Sequence, residues 1–274
     1  VGLSDIPKTI SEPARVDAKL ANGDILSRYS QGTNGLSYQQ IVMTMPQLND
    51  AQISTLPLYT TCLPELGVGS KDYASVQTWQ AQISGGVSCY SSIRSDVDDI
   101  QNVGGLLTFS SKCLSGNHQN LTDLLAQTIG NIRFDEDKRL AELVEQICTR
   151  KENSITGQGH SLAMNLAASG MSPTAKLNHE AGGLVGIQRL KSLRDSMANA
   201  DGREKLLTDF RELHDLVLTA PRRFLLIGEQ ACLESMQSDV ESQWGTAASA
   251  ENNSVLALPK VKNTVREVWT TSTA

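Results

Sequence analysis

The chain has 274 residues, 39% of them hydrophobic and 20% charged, with 24 basic and 30 acidic side chains for a net charge of −6. That is enough for one large domain or two small ones with an ordinary packed core, and it argues against disorder. The charges are dispersed, so the concentrated positive face that nucleic acid requires is not expected. No apolar run approaches the about 20 residues of a membrane helix, and residues 1–15 lack the basic, apolar and small-residue series of a signal peptide. The five cysteines, Cys62, Cys89, Cys113, Cys148 and Cys232, contain no Cys-x-x-Cys pair, which removes sequence support for a structural zinc or a dithiol redox site. Reduced, mostly buried thiols are expected, and with them a cytoplasmic or organelle-matrix-like reducing compartment.

In chain order, "ILSRYSQGTNGLSYQQIVMTM" (25–45) holds two β-prone runs broken by the turn "QGTNG". An opening helix follows, and "LPLYTTCLPELGVGSKDY" (56–73) reads as a helix, a glycine turn and the start of a second helix that continues through "YASVQTWQAQI". A second strand pair, "GGVSCYSSIRS" and "VGGLLTFSSKCL", brings the strands expected before residue 115 to four. In "NLTDLLAQTI", Leu121, Leu124, Leu125 and Ile129 share one helical face.

The second half is more helical. Leu140, Leu143, Val144 and Ile147 recur at helical spacing behind Asp135, Glu136 and Asp137, whose carboxylates suit the positive end of a helix dipole. Leu206, Leu207, Phe210, Leu213 and Val217 mark another amphipathic helix, "RRFLLIGE" (222–229) a buried strand, and "ACLESMQSDVES" a closing helix. The predicted fold is α+β, a mainly antiparallel sheet with helices packed on one face. Residues 1–20 are assigned as a lead-in and 21–244 as the domain. Residues 245–274, opening on the small, polar "GTAASAENNSVLALPK", are assigned as a linker towards a following domain. The Val1 start and the strand-like end "VREVWTTSTA" suggest an excised segment.

Four stretches, "LPLYTTCLPELGVGSKDYASVQTWQAQISGGVSCYSS", "KCLSGNHQNLTDLLAQTI", "RKENSITGQGHSLA" and "AGGLVGIQRLKSL", together resemble the third repeat domain of the presequence-protease branch of the pitrilysin and insulinase zinc metallopeptidases. The resemblance spans roughly residues 20–245, and the ordered series is specific where Gly85-Gly86 alone would be weak. It implies four domains of similar α+β fold in two halves that close around a chamber, with zinc held in the first domain by an inverted His-x-x-Glu-His motif. Two histidines four apart on one helix face bind the metal there, and the glutamate serves as general base.

None of that chemistry transfers onto this sequence. Matching Gly67 or Gly69 to the turn glycine places Leu58, Thr61 and Cys62, or Thr60, Leu63 and Pro64, at the ligand and base positions. The four histidines, His118, His160, His179 and His214, never occur four apart, and adjacent His179 and Glu180 diverge on a helix. The expectation is no catalytic residue, no metal and no cofactor in this segment, with zinc in the parent enzyme. The expected role is a noncatalytic wall of the substrate chamber, whose partners are the other domains of the same chain and short unfolded peptides.

The chamber-facing candidates are Ser88, Cys89, Tyr90 and Ser91, within the stretch to Ile93 that corresponds to a substrate-pairing edge strand, together with His160 and Arg222. Each has a plainer reading: strand packing against "LLTFSSKCL", a helix start after two glycines, and a surface ion pair. Two other functions stay open. One is a free-standing structural or assembly subunit with a degenerate peptidase fold; the other is a hydrolase using a cysteine nucleophile and a histidine base, which spacing alone does not exclude.

Overall fold

Burial alternates along Leu36–Thr44: Ser37, Gln39, Ile41 and Met43 are buried and the residues between them are not. This is the period-two pattern of a strand packed more tightly on one face. The computed structural model describes Gly2, Asp5 and residues 12–246 and 255–261; the rest of the extreme lead-in, residues 247–254 of the expected linker and the strand-like run 265–274 lie outside the described residues. Six strands form one sheet: β1 (Arg15–Lys19), β2 (Ile25–Ser30), β3 (Leu36–Thr44), β4 (Val87–Ser95), β5 (Val103–Leu114) and β6 (Arg222–Gly228), in the order β1-β2-β6-β3-β5-β4. Among these strands only β2 with β6 is parallel, so the sheet is mainly antiparallel, as the sequence predicts.

Two strand expectations are corrected. Five strands precede residue 115, because β1, "RVDAK", is a mostly exposed edge strand with little apolar signal. The first pair is also split, since β6 lies between β2 and β3. The turn between them is tied to the end of β6: the Gln31 N–H donates to the Gly228 carbonyl at 3.0 Å, and the Gly35 N–H to Glu229 Oε1 at 3.0 Å. Asn34 (φ 53) and Gly35 (φ 77) take the left-handed backbone that Asn-Gly permits.

The helices follow their periodicity. These are α1 (Asp50–Cys62), α2 (Tyr73–Ile83), α3 (His118–Gly130), α4 (Asp137–Ser154), α5 (Gly159–Ala168), α6 (Pro173–Gly182), α7 (Leu184–Ser196), α8 (Ala200–Leu218) and α9 (Gln230–Trp244). Asn49 and Gln52 close a capping box on α1, each side chain accepting the other's backbone N–H at 2.9 and 3.0 Å. Leu121, Leu124, Leu125 and Ile129 of α3 and Leu140, Leu143 and Val144 of α4 are buried with Leu26, Ile41, Phe109 and Phe224 of the sheet, and Ile147 packs against them.

The three acids at the start of α4 do three different things. Asp135 pairs with Arg133 at 3.0 Å, Asp137 with Arg203 at 3.1 Å, and Glu136 turns back to accept the N–H groups of Gly67 at 2.6 Å and Tyr73 at 3.0 Å. The glycine turn and the start of α2 are therefore held by Glu136, which also explains the bare glycine. A Cβ at position 67 would lie 2.9 Å from that carboxylate and 2.6 Å from the Lys71 carbonyl oxygen.

Past α9, residues 255–261 lie against the domain. Leu256 is buried, its N–H donates to the Met45 carbonyl at 3.1 Å, and Ala257 and Gln47 exchange bonds of 2.7 and 3.1 Å. Among the described residues no helix is long and apolar enough to cross a membrane.

Candidate functional site

The resemblance assigns the metal-binding motif to α1, and there the side chains are core. Leu58, Thr60, Cys62 and Leu63 are buried, while Thr60 and Thr61 donate to the Pro57 carbonyl at 3.1 and 2.8 Å. Burial, with nearby Glu65, pushes the Cys62 thiol up to about 12, away from the thiolate a metal needs.

Between these positions Tyr59 is fully enclosed, its ring edge-on to Phe210 at 5.5 Å and its hydroxyl 2.8 Å from His214 Nδ1. Burial lowers the pKa of His214, with the Ile129 backbone opposing the shift. Burial thus favours the neutral ring, in which Nδ1 can accept a hydrogen bond from the tyrosine hydroxyl. Among the described residues no three His, Cys, Asp or Glu side chains gather as a metal-ligand set. These residues do not fit zinc.

The candidate residues separate onto two faces. Cys89 and Ser91 pair with Phe109 and Leu107 on the helix-covered side, where burial raises the Cys89 thiol. Ser88 and Tyr90 point the other way, paired with Ser110 and Thr108. Arg222 is also on the covered side. Its guanidinium lies 3.2 Å from Asp24 and 5.1 Å from the Trp244 ring centroid, a buried ion pair where the sequence suggested a surface one. His160 is exposed at the first turn of α5. The four edge-strand candidates, His160 and Arg222 do not form one site.

What the sheet does assemble is a broad face that carries no helix among the described residues. One row across it runs Asp17, Ser27, Leu225, Gln40, Ser110 and Ser88; the next runs Lys19, Ile25, Arg223, Val42, Thr108 and Tyr90. Its apolar members, including Leu225, Val42 and the 44% exposed Leu106 and Tyr90, are not part of the packed core. At one edge β4 has β5 as its sole strand neighbour among the described residues.

Sequence reading missed one constellation. His118 Nδ1 lies 2.5 Å from Asp239 Oδ2 and its Nε2 lies 3.2 Å from Ser235 Oγ, the connectivity of a Ser-His-Asp triad. Spacing could not reveal it, because α3 and α9 meet only in the fold. It is not the arrangement of an activated nucleophile: Ser235 is inside α9, where the surrounding backbone N–H groups are engaged in the helix, and its hydroxyl donates to the Cys232 carbonyl at 2.9 Å. The cluster instead fastens α3 to α9.

The cysteine-nucleophile reading gains no support either. Burial pushes Cys113 up to about 11 and raises Cys148, and the hydrogen-bond partners of the His118 and His214 rings are carboxylate and hydroxyl groups, not thiols.

The chain is an α+β domain in which α1 is packed into the core and no metal-ligand set is gathered among the described residues. The sequence profile described as Peptidase M-16C associated matches residues 1–193, and the chain belongs to that family. The mitochondrial presequence protease of Candida albicans is 23% identical over 272 residues, covering 93% of this chain and 26% of the relative. The mitochondrial presequence protease of Danio rerio is 27% identical over 191 residues, covering 69% of this chain and 18% of the relative. The chain thus spans about a quarter or less of the length of these relatives. The periplasmic protease PqqL of Escherichia coli superposes with a TM-score of 0.59 at 14% identity, covering 93% of this chain and 25% of that one, which is a likeness of fold.

Proposed function

We propose that this chain is a noncatalytic domain of a large zinc metallopeptidase that degrades short unfolded peptides. In that role it walls part of an enclosed substrate chamber, with the zinc and its general base on another domain of the same parent chain. The observation that carries this reading is the helix-free face of the sheet. Its rows mix Ser, Thr and Gln with Tyr, Leu and Ile, a surface that offers hydrogen bonds and apolar contact without selecting one side chain.

The free edge of β4, from Ser88 to Ile93, adds backbone donors and acceptors with which an extended peptide can pair. The mitochondrial designation of the relatives supports a matrix-like, reducing compartment for the parent.

The test uses the full-length parent enzyme. Tyr90→Asp and Leu106→Asp, on the open face, are expected to change KM or peptide-length preference several-fold between a short and a long unfolded peptide, with zinc content unchanged. Lys138→Ala, on the exposed side of α4, should change neither. Unaltered KM for every peptide in both face variants would sink the proposal.

A further inference from the structure

α1 turns Ile53, Pro57 and Leu58 to one side, together with polar Asp50, Ser54 and Thr61. These positions repeat every three or four residues, so they form a continuous wall about 16 Å long. Opposite stand Ile147 of α4, Leu177 of α6 and Leu190 of α7, with Leu258 from the segment after α9, and the space between is a cavity of about 580 Å³. That is within the about 300–1,000 Å³ of sites that enclose small ligands.

The cavity is held open by its surroundings. α6 and α7 join so closely that a Cβ on Gly186 would lie 2.3 Å from the Ala181 carbonyl oxygen. α7 is clamped in turn to α4 by Lys191 and Arg194, at 2.7 and 3.2 Å from Glu152.

The lining carries three acids, Asp50, Glu180 and Asp209, and three bases, Lys151, Lys176 and Arg189, and their pairing is uneven. Glu180 is paired with Lys176 at 3.7 Å and Asp209 with Lys205 at 2.9 Å. Asp50 lies in the first turn of α1, where the helix dipole favours a carboxylate. Lys151 and Arg189 also line the cavity, are exposed at its rim, and make no side-chain hydrogen bond or ion pair among the described residues. A cavity with an apolar wall and two uncommitted cations among its exposed lining residues complements a ligand that is apolar over most of its length and anionic at one end.

We propose that this cavity binds a single-chain anionic amphiphile, a long-chain carboxylate, with its tail along α1 and its head group at Lys151 and Arg189. An uncharged chain would leave the cations unused, and a cationic one would meet them unfavourably. The proposal is independent of the chamber role, since the cavity is lined by helices and not by the open face of the sheet.

The experiment titrates the folded chain, below the micellar range, with palmitate, hexadecanol and hexadecylammonium by isothermal calorimetry. Saturable binding of about one palmitate per chain is expected, with hexadecanol and hexadecylammonium at least tenfold weaker. The double variant Lys151→Glu/Arg189→Glu, changed only at the rim, should lose at least tenfold in palmitate affinity. Hexadecanol binding as tightly as palmitate would overturn the assignment, and so would absence of saturable palmitate binding. If the double variant does not fold, the preference among the three ligands on the unaltered chain decides the matter.

Discussion

The guanidinium of Arg222 lies 3.2 Å from the carboxylate of Asp24, with the two side chains only 6% and 2% exposed. Asn22 donates to the same carboxylate at 2.9 Å and to the Trp244 carbonyl at 3.0 Å. The cluster therefore joins the approach to β2, the first residue of β6 and the end of α9, three places far apart in sequence.

Removing one partner of a buried pair leaves the other charge desolvated and uncompensated. Asp24→Ala should cost about 3–5 kcal/mol of stability, whereas Lys205→Ala, which breaks the exposed pair with Asp209, should barely move the urea midpoint. Similar midpoints for the two variants would show that the buried pair contributes nothing to the fold.

Tyr59 and His214 predict a pH dependence. Burial depresses the folded-state pKa of His214 below its ordinary value, so below about pH 6.5 the unfolded chain binds a proton that the folded chain refuses. This contribution is complete above the unfolded pKa and declines as the pH falls towards the lower folded one, by at most about 1.4 kcal/mol per pH unit. Urea midpoints at pH 7.5 and 5.5 should differ more for the unaltered chain than for Tyr59→Phe/His214→Phe. Equal differences would remove His214 as the cause.

Leu143 is buried and Lys138 is exposed on the same helix. Leu143→Ala should cost about 2–5 kcal/mol, and Lys138→Ala should be close to neutral. Guanidinium denaturation of both variants checks the orientation of α4; a larger loss at Lys138 would reverse it.

At Gly67 the obstacle is space, because a Cβ would be pressed against the Lys71 carbonyl and the Glu136 carboxylate. Gly67→Ala should destabilise the chain by about 1–3 kcal/mol, while Gly116→Ala, where nothing lies within 4 Å, should not. Thermal melts of the pair measure the contrast.

Zinc should not accompany the purified chain. The α1 positions offer leucine, threonine, proline and a buried thiol pushed up to about 12, where a catalytic zinc needs three deprotonated donors. Elemental analysis after dialysis should find far less than one zinc per chain. A stoichiometric, chelator-removable zinc would contradict the reading of α1.

Periodicity located the packed faces of α3, α4 and α8, and β-prone runs set off by turns located the strands β2 to β6, because both signals are written in local sequence. The same local record established that no two histidines stand four apart, which is why the loss of the zinc motif was legible without a structure. β1 escaped because an exposed edge strand needs few apolar residues, and the bonds from Glu136 to Gly67 and Tyr73 were not legible because the approach of that turn to the start of α4 is a tertiary event.

The sequence by itself determined the α+β class, the core-facing positions of the main helices and the absence of a local metal motif. Only the tertiary structure decided that β6 enters between β2 and β3, that Arg222 is enclosed with Asp24 and Trp244, and that Ser88 and Tyr90 share one face of the sheet without Cys89. The physical reason is the range of the interactions. Side-chain direction within an element follows from neighbouring residues, whereas strand order and the partner of a buried charge depend on which distant segments meet when the core closes.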